Sequence, residues 1–310
     1  MTCDSPYNFS DLFGAKGMYA AARYIKDKDL IAECKQYCLD VDKAIWEGRF
    51  KSDQAPLDAK NPVKPIPGRH SHAAFMIQIG TAALLVQHEK DKESIDFGLK
   101  LINHILQNHV NLKNKWPSLK EYDFVEFLDD QKQPYDDNGR ILSDSGHCLE
   151  FVGLTLKFTK IAKQTKSADG PQLDNIKTIE ELMPKILAAN FTNGFDEKAG
   201  GICKLFDLLS RKAVNTDMPW WSLPETMRAA LECLSVAGTE SLRQSCLDIA
   251  ADCHNAFIKY YVKPEVNLMA VQTRAKDGSV VDIIPATPDA DPGYHTGLSL
   301  IDCIEIIENL

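Results

Sequence analysis

At 310 residues, 44% apolar and 25% charged, the chain is long enough to bury a substantial core, and we expect a single domain over residues 1–310. A formal charge of −9 argues against nucleic acid or an anionic membrane as partner, since both select basic faces. No apolar run reaches membrane-span length and the start, Met1-Thr-Cys-Asp-Ser5, is not a signal peptide, so the expected location is cytoplasmic.

Residues 11–26 carry apolar side chains at helical spacing, with small Ala20–Ala22 suited to close packing. A polar turn at Asp27–Asp29 leads into a second amphipathic helix, Leu30–Glu47. Prolines 56, 62, 65 and 67 make residues 51–68 an extended connection. Ser71–Gln87 is apolar almost all round and reads as an inner helix; Lys90–Val110 is amphipathic and reads as its outer partner. In residues 112–142 alternating aromatics predict a strand pair closed by Asn138-Gly139.

A third helical pair spans His147–Ala162 and Thr178–Ala189, followed by a small hairpin at Asn193-Gly-Phe-Asp and Gly200-Gly-Ile. The fourth pair is Pro224–Ala237 and Glu240–Tyr261; a second strand pair is predicted in Asn267–Ile284, and Tyr294–Leu310 is the last helix. The recurring unit is a buried helix, a turn, a more polar helix and a loop. It predicts an all-α fold of stacked α-hairpins, an open solenoid or a closed α/α toroid, with short β-hairpins in the loops. Helix starts converging on one mouth favour the toroid.

Nine cysteines without a CxxC pair read as buried free thiols. The sequons at Asn8 and Asn190 carry little weight without a signal peptide. His70-Ser-His72 invites a metal reading, but residues two apart at a helix start diverge and no carboxylate cluster accompanies them. The unusual polar and aromatic groups stand at helix starts: His72, His147 with Glu150 one turn on, Trp220-Trp221 before Glu225, and His295. Each has a plainer reading beside the functional one. His147 and His295 suit caps, Glu225 suits a first turn, and the tryptophans suit core packing. His88, His104, His109 and His254 are placed on polar faces. The set lacks a nucleophile triad, a phosphate loop and a zinc pattern; its histidines suit proton transfer near neutral pH.

In this order, Ser145-Gly-His147-Cys-Leu-Glu150, Trp220-Trp-Ser-Leu-Pro-Glu225-Thr-Met-Arg228-Ala and Gly293-Tyr-His295, with the weaker His70-Ser-His72, resemble the N-acylglucosamine 2-epimerase superfamily. That group includes cellobiose 2-epimerases and mannose or sulfoquinovose isomerases, and the resemblance runs from about residue 11 to the C-terminus. It implies an (α/α)6 barrel, no cofactor and no metal, and a small sugar as partner, with a homodimer left open. The reaction implied is removal of the C2 proton to a cis-enediolate. Reprotonation at C2 gives epimerisation, as between N-acyl-D-glucosamine and N-acyl-D-mannosamine; reprotonation at C1 gives an aldose–ketose isomerisation.

Carried over residue by residue, His147 and His295 are the acid–base pair, His72 assists ring opening or oxygen protonation, and Glu150 and Glu225 orient or modulate the histidines. Trp220, Trp221, Arg228 and Tyr294 bind the sugar. Three departures accompany the match. Phe75 stands where the family has a glutamate, and Ser222-Leu-Pro replaces the commoner segment after the tryptophans. The chain is also expected to begin after the family's first helices, without their sugar-holding arginine, which neither Arg23 nor Arg69 replaces. Two other readings stand beside this one: a non-catalytic sugar-binding protein on a degenerate barrel, and an (α/α)6 glycoside hydrolase or lyase using Asp144 with Glu225.

Overall fold

Most helices of this chain begin where a short polar side chain precedes an amphipathic run. In the computed structural model, which describes residues 7–51, 66–266, 273–281 and 293–309, these are α1 (Phe9–Ile25), α2 (Lys28–Trp46), α3 (Ala73–Glu89), α4 (Lys92–His109), α5 (Ser145–Thr165), α6 (Gly170–Gly194), α7 (Ser222–Leu234), α8 (Glu240–Tyr260) and α9 (Thr296–Glu308). Asn8, Asp27, Asp91, Asp144, Asp169 and Thr239 each accept a backbone N–H at the start of α1, α2, α4, α5, α6 and α8. Such a cap contributes about 1 kcal/mol. Three helices lack one: α3, α7 and α9 have His72, Trp221 and His295 at the capping position, with no side-chain cap bond.

The helices alternate between an inner set (α1, α3, α5, α7, α9), each packed on the next, and an outer set (α2, α4, α6, α8). Every residue of α7 is buried, and α3 buries Met76, Ile79, Ala82 and Val86, as its all-round apolar sequence requires. Close approach of α5 and α7 uses Gly153, where a Cβ would stand 3.5 Å from the Ala229 backbone and 3.0 Å from Arg228 Nε. One large apolar cluster runs from α3 to α9, and a second joins α1, α2 and α3. Fully burying one such side chain is worth about 1.5–3 kcal/mol. The eight described cysteines, Cys34 through Cys303, are free and buried within these layers.

Short strands strap the loops over the helix starts. His70–Ser71 pairs antiparallel with Phe127–Leu128, and Leu142–Ser143 with Leu205–Asp207. Phe195–Asp196 pairs with Gly201–Ile202, the predicted small hairpin. The pair predicted within 112–142 differs. Asn138 and Gly139 do form a turn with positive φ (56° and 81°), but the strands flanking it pair with the segments before α3 and after α6 instead of with each other. The physical reason is that strands two residues long gain little from one another and more from pinning helix starts together. The second predicted pair lies partly outside the described residues. Within them Arg274 bridges Val280 across the Asp277-Gly278 turn, while Thr273–Arg274 pairs with Met218–Pro219. The proline-rich connection lies outside the described residues except at its ends. Asn190 is buried, donating to the carbonyls of Tyr122 and Ile186, which removes its sequon from consideration.

Candidate active site

The starts of α3, α5, α7 and α9 bring His72, His147, Trp221 and His295 together. Trp221 is the meeting point. Its indole stacks on the His147 ring (centroids 5.3 Å, 20°) and lies 5.1 Å from the His295 ring at 31°. The two imidazoles thus contact one aromatic plate, while Trp220 is buried in the main core.

Each imidazole is held by a buried carboxylate. His147 Nδ1 lies 3.0 Å from Glu126 Oε1, and Glu126 Oε2 lies 3.1 Å from His72 Nε2. Burial opposes the charge on Glu126, but the two histidines outweigh it and hold its carboxyl well below the usual range. An ionised carboxylate only accepts, so both histidines donate to it. His147 therefore presents Nε2 as its reactive nitrogen. Burial alone would lower the His147 pKa; Asp144 and Glu126 reverse that and raise it. Asp144 caps α5 with one oxygen and takes Lys204 Nζ at 2.6 Å with the other. His295 Nδ1 lies 3.1 Å from Glu225 Oε1, and the other Glu225 oxygen is paired with Arg228. Arg228 also approaches Asp302 of α9 at 3.6 Å.

Several expected site residues are placed differently from the roles assigned to them. Glu150 does not orient His147, whose partners are Glu126 and Asp144; it stands with Glu225 and His295, their donor atoms within 4.8 Å of one another. Its Oε1 is buried without a partner, and burial and then Glu225 push its pKa up. Arg228 is buried behind Glu225, its charge committed to carboxylates of the protein. Tyr294 packs edge-on to His295 (4.8 Å) and to Phe13 (5.1 Å). Phe75 packs on His104 and Trp46, and Arg23 and Arg69 are taken up by Glu89 and the Phe127 ring. The hydrolytic pair Asp144 and Glu225 is tied up in ion pairs with Lys204 and Arg228.

Two of the four histidines placed on polar faces are not there. His109 is buried beside His72 (5.3 Å) and donates to the Val125 carbonyl, and burial lowers its pKa to about 3. His104 is held between Phe75 and Trp46 with a pKa lowered to about 4, again first by burial. Glu126 and Lys204 escaped sequence reasoning. The one available signal for Glu126 was a lone carboxylate inside the apolar run Phe124-Val-Glu-Phe-Leu128.

His70 and His72 do diverge: His70 is exposed against Asp130 (2.7 Å), while His72 is buried. His72 nevertheless gains a carboxylate that the sequence did not show, in the metal-donor geometry His72–Glu126–His147, and a second such trio is Glu150–Glu225–His295. In the first trio both imidazole N–H groups already donate to Glu126, and in the second His295 Nδ1 is hydrogen-bonded to Glu225, so an ion would have to displace those hydrogen bonds.

Stacked helical hairpins with helix starts converging on one mouth define an α/α-toroid protein. The N-acylglucosamine 2-epimerase (GlcNAc 2-epimerase) family matches residues 18–296, and the chain belongs to it. The fold is similar to that of a sugar epimerase from a ruminal bacterium (14% identity, TM-score 0.69, covering 97% of this chain and 72% of that one). It is also similar to a D-mannose isomerase (15%, 0.66, 97% and 70%) and a cellobiose 2-epimerase from Bacillus thermoamylovorans (14%, 0.64, 97% and 71%). No curated protein matches the chain. Among the described residues no helix is long and apolar enough to cross a membrane.

Proposed function

We propose that the protein is a cofactor-independent sugar 2-epimerase or aldose–ketose isomerase, with N-acyl-D-glucosamine and N-acyl-D-mannosamine as the representative pair. The observation that carries this is the pair of carboxylate-held imidazoles, His147 and His295, in contact with one indole. A sugar at that indole is reached by a base and an acid from two different helices. One imidazole takes the C2 proton on Nε2; the other returns a proton to the opposite face of C2, or to C1. Glu126 and Glu225 offset the positive charge each ring gains, and the Glu126–His72 bond keeps the carboxylate in register. Such proton transfer typically accounts for 10²–10⁴-fold of rate.

The test is deuterium uptake at C2 in heavy water, measured by NMR over N-acetylglucosamine, N-acetylmannosamine, mannose, glucose and cellobiose. Uptake with at least one sugar is expected, falling by at least about a hundredfold in His147→Ala and in His295→Ala. A folded protein that exchanges no C2 proton with any of them sinks the reading; saturable binding without exchange would instead mark a sugar-binding protein.

A further inference from the structure

Lys16 is a cation beside this site for which the proposed proton transfer has no use. It projects from α1, half-buried, its Nζ 4.6 Å from the Tyr294 ring centroid and 5.2 Å from that of Phe13. On α3, Gly80 leaves the space it occupies: a Cβ there would stand 3.3 Å from Nζ. The neighbouring cations are spoken for, Lys204 by Asp144 and Arg228 by Glu225 and Asp302. Among the described residues, no carboxylate lies within ion-pair distance of Lys16. Glu150 and Arg228 act electrostatically on both Lys16 and Tyr294, and Glu150 Oε1, Tyr294 Oη and Arg228 Nε are buried without a hydrogen-bond partner. Leaving buried polar groups without partners is costly, and a polar ligand would relieve that cost.

We infer that Lys16 is an oxyanion-binding residue of the sugar site, its ammonium facing the negative charge that grows on the enediolate oxygen, with the Tyr294 hydroxyl as a companion donor. This rests on the proposed sugar chemistry and adds a residue to it. A preorganised cation in a partly dry site favours the developing charge more than the neutral sugar, the differential that speeds a reaction. The aromatic rings of Tyr294 and Phe13 hold the ammonium without neutralising it.

The charge also titrates in a useful range. Burial lowers the Lys16 pKa to about 8, opposed by Glu150 of α5, Glu225 of α7 and Cys38 of α2, and reinforced by Arg228 of α7. Oxyanion binding is therefore present below that value and lost as pH rises through it.

The experiment compares aldonates (gluconate, mannonate), which carry an anionic oxygen at C1, with the matching neutral alditols, by calorimetry on the full chain. Wild-type protein is expected to prefer the aldonate by about ten- to a hundredfold at pH 7, as one charge-assisted hydrogen bond would give. That preference should shrink above pH 8. Lys16→Met should lose most of it while alditol affinity stays within about twofold. Lys16→Arg, whose charge persists, should keep it from pH 7 to pH 9.5. An unchanged preference in folded Lys16→Met, or no preference in the wild type, overturns the inference. Loss of C2 exchange with the aldonate preference intact would refute the epimerase reading alone.

Discussion

Glu126→Gln replaces the carboxylate that joins His72 and His147 with an amide of the same shape. In the wild type two imidazole N–H groups donate to an ionised, buried carboxylate at 3.0 and 3.1 Å. Hydrogen bonds to a charged partner are worth about 1.5–3 kcal/mol each and neutral ones about 0.5–1.5. The amide presents one acceptor and one donor group to two donors, so one histidine must also change its tautomer. Together these terms amount to a loss of about 2–4 kcal/mol of stability. The sign with pH is definite. Because the folded carboxyl titrates below its ordinary value, this stability is present above the unfolded pKa, roughly 4.3 for glutamate, and fades as pH falls through the folded pKa. Chemical denaturation of wild type and variant should therefore diverge at pH 7 and converge in acid. The His147 imidazole, having lost one of the carboxylates that raise its pKa, should titrate at lower pH by NMR of its ring protons, and the pH profile of C2 exchange should move with it. A His147 midpoint and denaturation curve unchanged in the folded variant would refute the reasoning.

Trp221→Ala removes the plate shared by His147 and His295, and should lower stability by about 3–5 kcal/mol; Trp221→Phe should fold better and lose exchange through kcat more than KM. Glu150→Gln should gain stability over the wild type as pH rises, measured by thermal unfolding at pH 5 and pH 8. The raised pKa of Glu150, caused by burial and then Glu225, means its contribution is present in acid and lost as pH rises through the folded pKa. An advantage that shrinks with pH would show that Glu150 is paired when charged. Gly98→Ala, on α4, should be destabilised by about 1–3 kcal/mol, since a methyl there overlaps the Phe158 ring of α5; an unchanged urea midpoint would mean that Phe158 yields freely.

Much of the fold was legible because helical periodicity is a local property. The run of apolar residues from Ala73 to Val86 declares an inner helix, and the alternation of such runs with amphipathic ones declares a stack of hairpins. The helix starts bearing His72, Trp221 and His295 could be singled out because these residues stand where short polar caps usually do, and that of His147 because it lies in the first turn of α5, after the Asp144 cap. The pairing of His147 with Glu150 was inferred from their spacing and from the family resemblance. Being on one face of a helix does not fix a partner, and Glu126, a carboxylate from a loop strap, reaches Nδ1 first.

The sequence by itself thus determined the helices, their inner and outer order, and which helix starts carry chemical groups, since each depends on neighbours within a few residues. Only the tertiary structure decided which carboxylate serves which imidazole, that Arg228 is turned to Glu225 and Asp302, that one indole joins His147 to His295, and that Lys16 reaches the mouth. Those relations join segments far apart in the chain, as Lys16 near its start is joined to Tyr294 near its end. They are set by packing of whole helices and by the strand straps, which no local pattern encodes.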